Sequence, residues 1–146
     1  VLWKICVICA YIKRRSNLLL LNEESSQINS KELEYCIKES LDNLSLNSVV
    51  TALDCKCNDI VDIEDALAIY DFFEKVVELT LNRANAYLVH LNCCANQFSF
   101  NMQIGFDVDF DASELTSLDL KNATVICNVQ EEDVYIKVHK KGGAEK

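Results

Sequence analysis

The sequence predicts an α/β two-layer sandwich of the α+β kind: a mixed, mostly antiparallel sheet with helices on one face, preceded by an N-terminal helix. Three observations predict it. The hydrophobic period switches along the chain between the three-four spacing of helices and the alternation of strands. Two pairs of strand-like runs are separated by short turns, as hairpins are. Helices lie between the strands in sequence, an order that suits one sheet with helices packed on one side. The chain has 146 residues, 50% apolar and 25% charged, which is enough for one domain with a real core.

Residues 1–24 read as one helix. Leu2, Ile5, Cys9, Ile12 and Leu19 follow a three-four spacing, a seam for a partner helix, with polar Ser16 at one seam position. The leucine run 18–21 is apolar all round and predicts burial of that end. A polar loop over 23–29 follows. Asn29-Ser30-Lys31-Glu32 reads as a capping box opening a second helix to residue 44, with Leu33, Cys36, Ile37, Ser40 and Leu41 as its buried face. The run 48–55 is rich in β-branched residues and reads as a strand.

Asp62-Ile63-Glu64-Asp65 then caps the longest helix, 63–82, with Leu67, Tyr70, Phe73, Val77 and Leu81 along one face. Acidic residues crowd its first turn, where the helix dipole favours them. Strands over 86–93 and 97–104 follow, turning at Ala95-Asn96. Tyr87, Val89 and Leu91 form one buried face, continued by Phe98, Phe100 and Met102. Asp111-Ala112-Ser113-Glu114 caps a short helix to residue 120. Strands over 123–129 and 134–139 close the chain, with Glu131-Glu132-Asp133 between them.

The formal net charge is −9, which argues against a nucleic-acid surface, because phosphate contacts need clustered Lys and Arg. The eight cysteines are Cys6, Cys9, Cys36, Cys55, Cys57, Cys93, Cys94 and Cys127. Most fall in apolar runs, where a free thiol behaves as a small hydrophobe, and none of the close pairs has a histidine nearby. They read as buried reduced thiols, with no metal site, in a reducing compartment. The opening apolar run is too short to span about 30 Å of hydrocarbon, but Lys13-Arg14-Arg15 after it resembles the cytoplasmic flank of a membrane anchor, and equally the end of an ordinary amphipathic helix. With Val1 in place of an initiator methionine, the expectation is a cytoplasmic piece of a longer protein, tethered through a region upstream.

The chain has no proline and only three glycines, Gly105, Gly142 and Gly143. Close backbone approach to phosphates calls for glycine, so the shortage argues against a phosphate-gripping loop. The tail 142–146 reads as disordered.

Several stretches resemble the ATP-binding domain of sensor histidine kinases, the GHKL or Bergerat fold. Residues 11–20, Tyr-Ile-Lys-Arg-Arg-Ser-Asn-Leu-Leu-Leu, are similar to the segment before that domain in membrane-anchored members. Glu39-Ser40-Leu41 sits where the first helix of the family's ATPase domain ends. Residues 70–81 look like the helix carrying the family's N box, and Val134-Tyr135-Ile136-Lys137-Val138 with Lys140-Lys141-Gly142-Gly143 resembles its closing strand and tail. The resemblance covers nearly the whole chain. It implies an N-terminal helix and linker over 1–28, a Bergerat-like ATPase domain over 29–141, and the tail.

The family's motifs are where this sequence departs. Its N box reads roughly Asn-Leu-Leu-x-Asn-Ala, and the second Asn holds magnesium. Here the aligned stretch is 75–80 and Leu79 stands at that place, with no donor for a hard cation. The Asp-x-Gly-x-Gly box and glycine-rich lid have no counterpart. Gly105-Phe106-Asp107-Val108-Asp109 is the one stretch combining glycine and aspartate there, in the wrong order. His90 and His139 fall in predicted strands, so neither is a phosphoacceptor on a dimerisation helix. Asp107, Asp109 and Asp111 lack the glycine and distal glutamate of a calcium loop.

The resemblance therefore implies a degenerate histidine-kinase-type ATPase domain. It would act in signal transduction as a dimerisation or docking module, without cofactor or catalytic residue, through the Leu2, Ile5, Cys9, Ile12 and Leu19 seam. A kinase or response regulator would be its partner. The alternative is an active kinase domain with an atypical Mg-ATP site built from Glu74, Lys75, Glu78 and Asp107. A third reading is a binding module that merely converges on this architecture. Bulky Phe72, Phe73 and Leu79 predict that the nucleotide cleft is filled.

Overall fold

A computed structural model describes residues 2–21, 23, 25–94, 97–107 and 110–141. The turn expected at 95–96, Val108, Asp109 and the tail 142–146 lie outside them. The elements run α1 (Leu2–Leu21), β1 (Gln27–Asn29), α2 (Lys31–Ser45), β2 (Val50–Cys57), β3 (Ile60–Asp62), α3 (Ile63–Thr80), β4 (Ala84–Cys94), β5 (Gln97–Phe106), α4 (Ser113–Thr116), β6 (Ala123–Val129) and β7 (Asp133–Lys141).

The main sheet has five strands in the order β2-β4-β5-β7-β6. Only β2 and β4 are parallel, and α3 is the crossover that joins them. This is the mixed, mostly antiparallel sheet with helices on one face that the sequence predicts. Alternation decides which face is covered. Tyr87, Val89, Leu91 and Cys93 of β4 are buried, as are Phe98, Phe100, Met102, Ile104 and Phe106 of β5 and Val134, Ile136 and Val138 of β7. Gln97, Asn92, His90, Lys137 and His139 alternate with them and point away from the helices.

Helix α3 lies against that face. Phe72 and Phe73 meet Phe100 edge-on, each with ring centroids 6.3 Å away. Leu67, Tyr70, Phe73 and Val77 of the expected face are buried in α3, which ends at Thr80 rather than 82; Leu81 just beyond it is buried too, as are Ala66, Ile69, Val76 and Thr80. All five expected residues of α2 are buried too, and Leu44 joins them.

Several local expectations are corrected. The polar loop before α2 contains β1, which pairs antiparallel with β3 (Ile28 with Val61), and both central residues are buried. That ladder also displaces the capping box. The Ser30 N–H donates to the Asp59 carbonyl at 2.8 Å, Ser30 takes helical torsions, and Asn29 Oδ1 instead accepts from the Lys31 N–H. At α3 the Asp62 side chain makes no cap; the Ile63 N–H donates to the Ser26 carbonyl. The first strand of the main sheet lies two residues later than expected, after Ser48 turns the chain at φ 65°. Helix α4 stops at Thr116, because the Thr116 and Ser117 hydroxyls donate to the carbonyls of Ser113 and Glu114 and compete with further helix.

The leucine run ending α1 is not buried all round: Leu18 is buried and Leu21 half-buried, but Leu19 and Leu20 are exposed. Strand β7 runs on to Lys141, and Lys140 is buried with its Nζ 3.4 Å from Asp65 and donating to the Lys121 carbonyl. Among the described residues no helix is long and apolar enough to cross a membrane.

Candidate functional site

The site is built where α1 crosses α2 and α3. Tyr11, Arg14 and Arg15 are spaced to lie on one side of α1, and Tyr70, Asp71 and Glu74 on the facing side of α3. Arg14 is 4% exposed. Its Nε donates to the Tyr70 hydroxyl at 2.6 Å, its Nη2 lies 3.4 Å from Glu74 Oε2, and its Nη1 lies 3.6 Å from Glu39 Oε1 on α2. Tyr70 and Ser40 both donate to Glu74, at 2.5 and 3.3 Å. A second layer sits further out. The Tyr11 hydroxyl and Arg15 Nε donate to Asp71, at 2.7 and 3.0 Å.

Burial pushes the Glu74 carboxyl above the ordinary glutamate range, against the pull of Tyr70, Arg14 and Ser40. Burial and then the Glu74 charge push the Tyr70 phenol up as well. Tyr11 is raised to about 12, by burial and then by its bond to Asp71. For Arg14 burial works against the charge, but Tyr70 and Glu74 outweigh it and leave the guanidinium firmly protonated.

Above this clasp a cleft of about 540 Å³ opens between α1 and α3, lined by Lys4, Val7, Ile8, Tyr11, Arg15, Asp71, Glu74, Lys75, Glu78 and Leu81. It brings together three residues of the atypical nucleotide site, and they stand in different states. Glu74 is buried and held by three partners; Lys75 and Glu78 are exposed and pair with each other at 3.9 Å. Asp107 does not line this cleft. It is exposed at the end of β5, where it accepts a hydrogen bond from the Asn85 amide at 2.5 Å.

Leu79 is half-buried and packs on the core. Gly105 is a strand residue, paired with Ala86 and Asp133, and a Cβ there would come within 2.7 Å of Asn85 Oδ1. The glycine thus makes room for the Asn85 side chain that reaches Asp107. Beyond β5, Phe110 stacks on Phe106 at 4.3 Å, and Leu115 of α4 is buried. His90 is an exposed strand residue 3.1 Å from Asp54, and His139 is exposed on β7.

The seam residues of α1 all face away from the rest of the chain. Leu2 is 74% exposed, Ile5 52%, Ile12 55% and Leu19 40%, and Cys9 is exposed. Trp3, Val7, Tyr11 and Leu18 hold the inward face instead. The basic cluster read as a membrane flank is largely engaged within the fold, since Arg14 and Arg15 both bind α3.

Sequence reasoning did not find Arg14, Tyr70 and Glu74 as a unit. The available signal was a charged residue at a helix-facing position in each of two apolar helices. It also missed a second cluster. All eight cysteines are free thiols, but only Cys36, Cys57 and Cys93 are buried; Cys6, Cys9 and Cys94 are exposed, against the expectation that most are core. Cys55, Cys57 and Glu34 come together under α2.

No family model matches this sequence. No curated protein matches it either. Solved structures do match. A histidine kinase domain from the Erythrobacter litoralis EL346 blue-light activated histidine kinase is 10% identical with a TM-score of 0.64, over 92% of this chain and 76% of that one. A bacterial phosphotransferase is 9% identical with a TM-score of 0.59, over 93% and 91%. The Acinetobacter baumannii histidine kinase AdeS is 8% identical with a TM-score of 0.57, over 90% and 77%. At these identities the likeness shows the fold, and it is the fold of a histidine kinase ATP-binding domain.

Proposed function

We propose that this domain serves two-component signalling as a dimerisation and docking module on a histidine-kinase-type ATPase fold, and that it has lost its ATP site. The observation that carries the reading is the state of Glu74. It is the buried carboxylate beside the stretch that resembles the N box, and Arg14, Tyr70 and Ser40 take up its oxygens. A hard cation needs several free oxygen ligands, and Glu78 alone, exposed and next to Lys75, offers a poor set. Leu79 packing on the core, Phe72 and Phe73 filling the space toward β5, and Gly105 held in a strand support the same reading.

The docking half rests on α1. A helix apolar on one stripe needs one partner; α1 is apolar on two, and the described residues of its own chain cover only one. The Leu2, Ile5, Cys9, Ile12 and Leu19 seam has the spacing of a two-helix interface, which favours a second copy of the chain. A response regulator is the natural further partner, because the histidine kinase ThkA, of the same fold at 11% identity and a TM-score of 0.53, is described in complex with the response regulator protein TrrA. Sedimentation velocity tests the seam: a dimer that dissociates on dilution supports it, and a monomer at every concentration overturns it. Micromolar Mg-ATP binding would return the domain to the alternative, an active kinase domain with an atypical site.

A further inference from the structure

Beneath the N-terminal end of α2, Cys55, Cys57 and Glu34 come together, and Cys93 of the neighbouring strand touches Cys57. Cys57 of β2 and Cys93 of β4 are directly opposite each other in the parallel register, and their sulfurs lie 3.5 Å apart. Both are buried. Cys55, two residues before Cys57, faces the same side of the sheet. Its sulfur, the Cys57 sulfur and a Glu34 carboxylate oxygen all lie within 4.8 Å of one another. Glu34 comes from the first turn of α2, which packs on β2.

Ser30, at the start of α2, is fully buried, and its hydroxyl lies beside Cys57, within hydrogen-bonding reach of the sulfur.

The spacing suits a shared metal and is not that of a formed disulfide. Two thiolates on one tetrahedral zinc stand about 3.8 Å apart, given Zn–S bonds of about 2.3 Å. Sulfurs 3.5 Å apart match that separation, whereas a disulfide holds them at about 2.05 Å. Glu34 and Cys55 also line a cleft of about 430 Å³ between α2 and β2, which gives an ion a way in. The N-terminus of α2 and Lys31 favour negative charge here.

We propose that Cys55, Cys57 and Cys93, together with the Glu34 carboxylate, form a site for a thiophilic divalent cation of the zinc class. Three thiol protons leave to solvent as three metal–sulfur bonds form, and the carboxylate supplies the fourth ligand. The ion clamps α2 to the C-terminal ends of the two parallel strands.

The test uses the full chain, reduced and metal-free, titrated with cadmium and read by its sulfur-to-metal charge-transfer band. The expected result is saturation at one equivalent and a rise in the unfolding midpoint. Cys55→Ser should remove about a third of the band, one thiolate of three. Glu34→Gln should keep the band but weaken zinc about tenfold or more in chelator competition. Both positions are half-buried, and urea unfolding of each metal-free variant establishes that it folds. A triple variant, Cys6→Ser, Cys9→Ser and Cys94→Ser, should bind as the wild type does. The proposal is overturned by no saturable band, by a band that Cys55→Ser leaves intact and the triple variant abolishes, or by a Cys57–Cys93 disulfide that persists in reduced glutathione.

Discussion

Arg14 Nη2 stands 3.4 Å from Glu74 Oε2, both side chains are buried, and the contact joins helices 60 residues apart in sequence. A buried ion pair is costly to desolvate, and removing one partner strands the other. At a pH above the raised folded-state pKa of Glu74, where the pair is ionised, Arg14→Met should therefore destabilise the domain by about 3–5 kcal/mol in urea unfolding, and the double variant Arg14→Met/Glu74→Met should recover most of that loss. A double variant no more stable than the single one would show that packing, not charge, holds the clasp.

Glu74 also sets a pH dependence. Its folded-state pKa is raised, chiefly by burial, so the folded chain keeps a proton that the unfolded chain releases. That contribution is fully present below the ordinary glutamate range, and it is lost as pH rises through the folded value. The unfolding midpoint of the wild type, minus that of Glu74→Gln, should fall as pH is raised from about 4 to about 7. A flat or rising difference would mean that Glu74 is ionised throughout, with Arg14 outweighing burial.

The two faces of α1 should separate in mutagenesis. Ile5→Asp and Ile12→Asp place charges on exposed residues, so the monomer should keep its unfolding midpoint. Each should raise the dimer dissociation constant about a hundredfold, the cost of a charge in an apolar seam. Trp3→Ala, on the inward face, should instead destabilise the monomer and leave the seam residues in place. Loss of monomer stability in Ile5→Asp or Ile12→Asp would assign these residues to the chain's own core.

The elements that the sequence reveals are those whose periodicity is long. Helix α3 and the β4–β5 hairpin show in the spacing of Leu67, Tyr70, Phe73 and Val77 and in the alternation through Tyr87 and Phe100. The β1–β3 ladder does not, because each strand is three residues long and no period can establish itself. Arg14 reads as the flank of an anchor, since nothing local shows that Tyr70 and Glu74 will meet it. Cys57 and Cys93 likewise show as separate thiols, because their meeting depends on a parallel pairing across the α3 crossover. Leu79 and the glycine shortage are legible, because they are matters of residue type alone.

Isothermal titration of the full chain with Mg-ATP tests the central claim most directly, namely that this ATPase fold no longer holds ATP. The account predicts no saturable heat at micromolar to high-micromolar nucleotide, with or without magnesium. Magnesium-dependent binding at micromolar Kd, abolished by Glu78→Gln, would contradict it and establish a working nucleotide site.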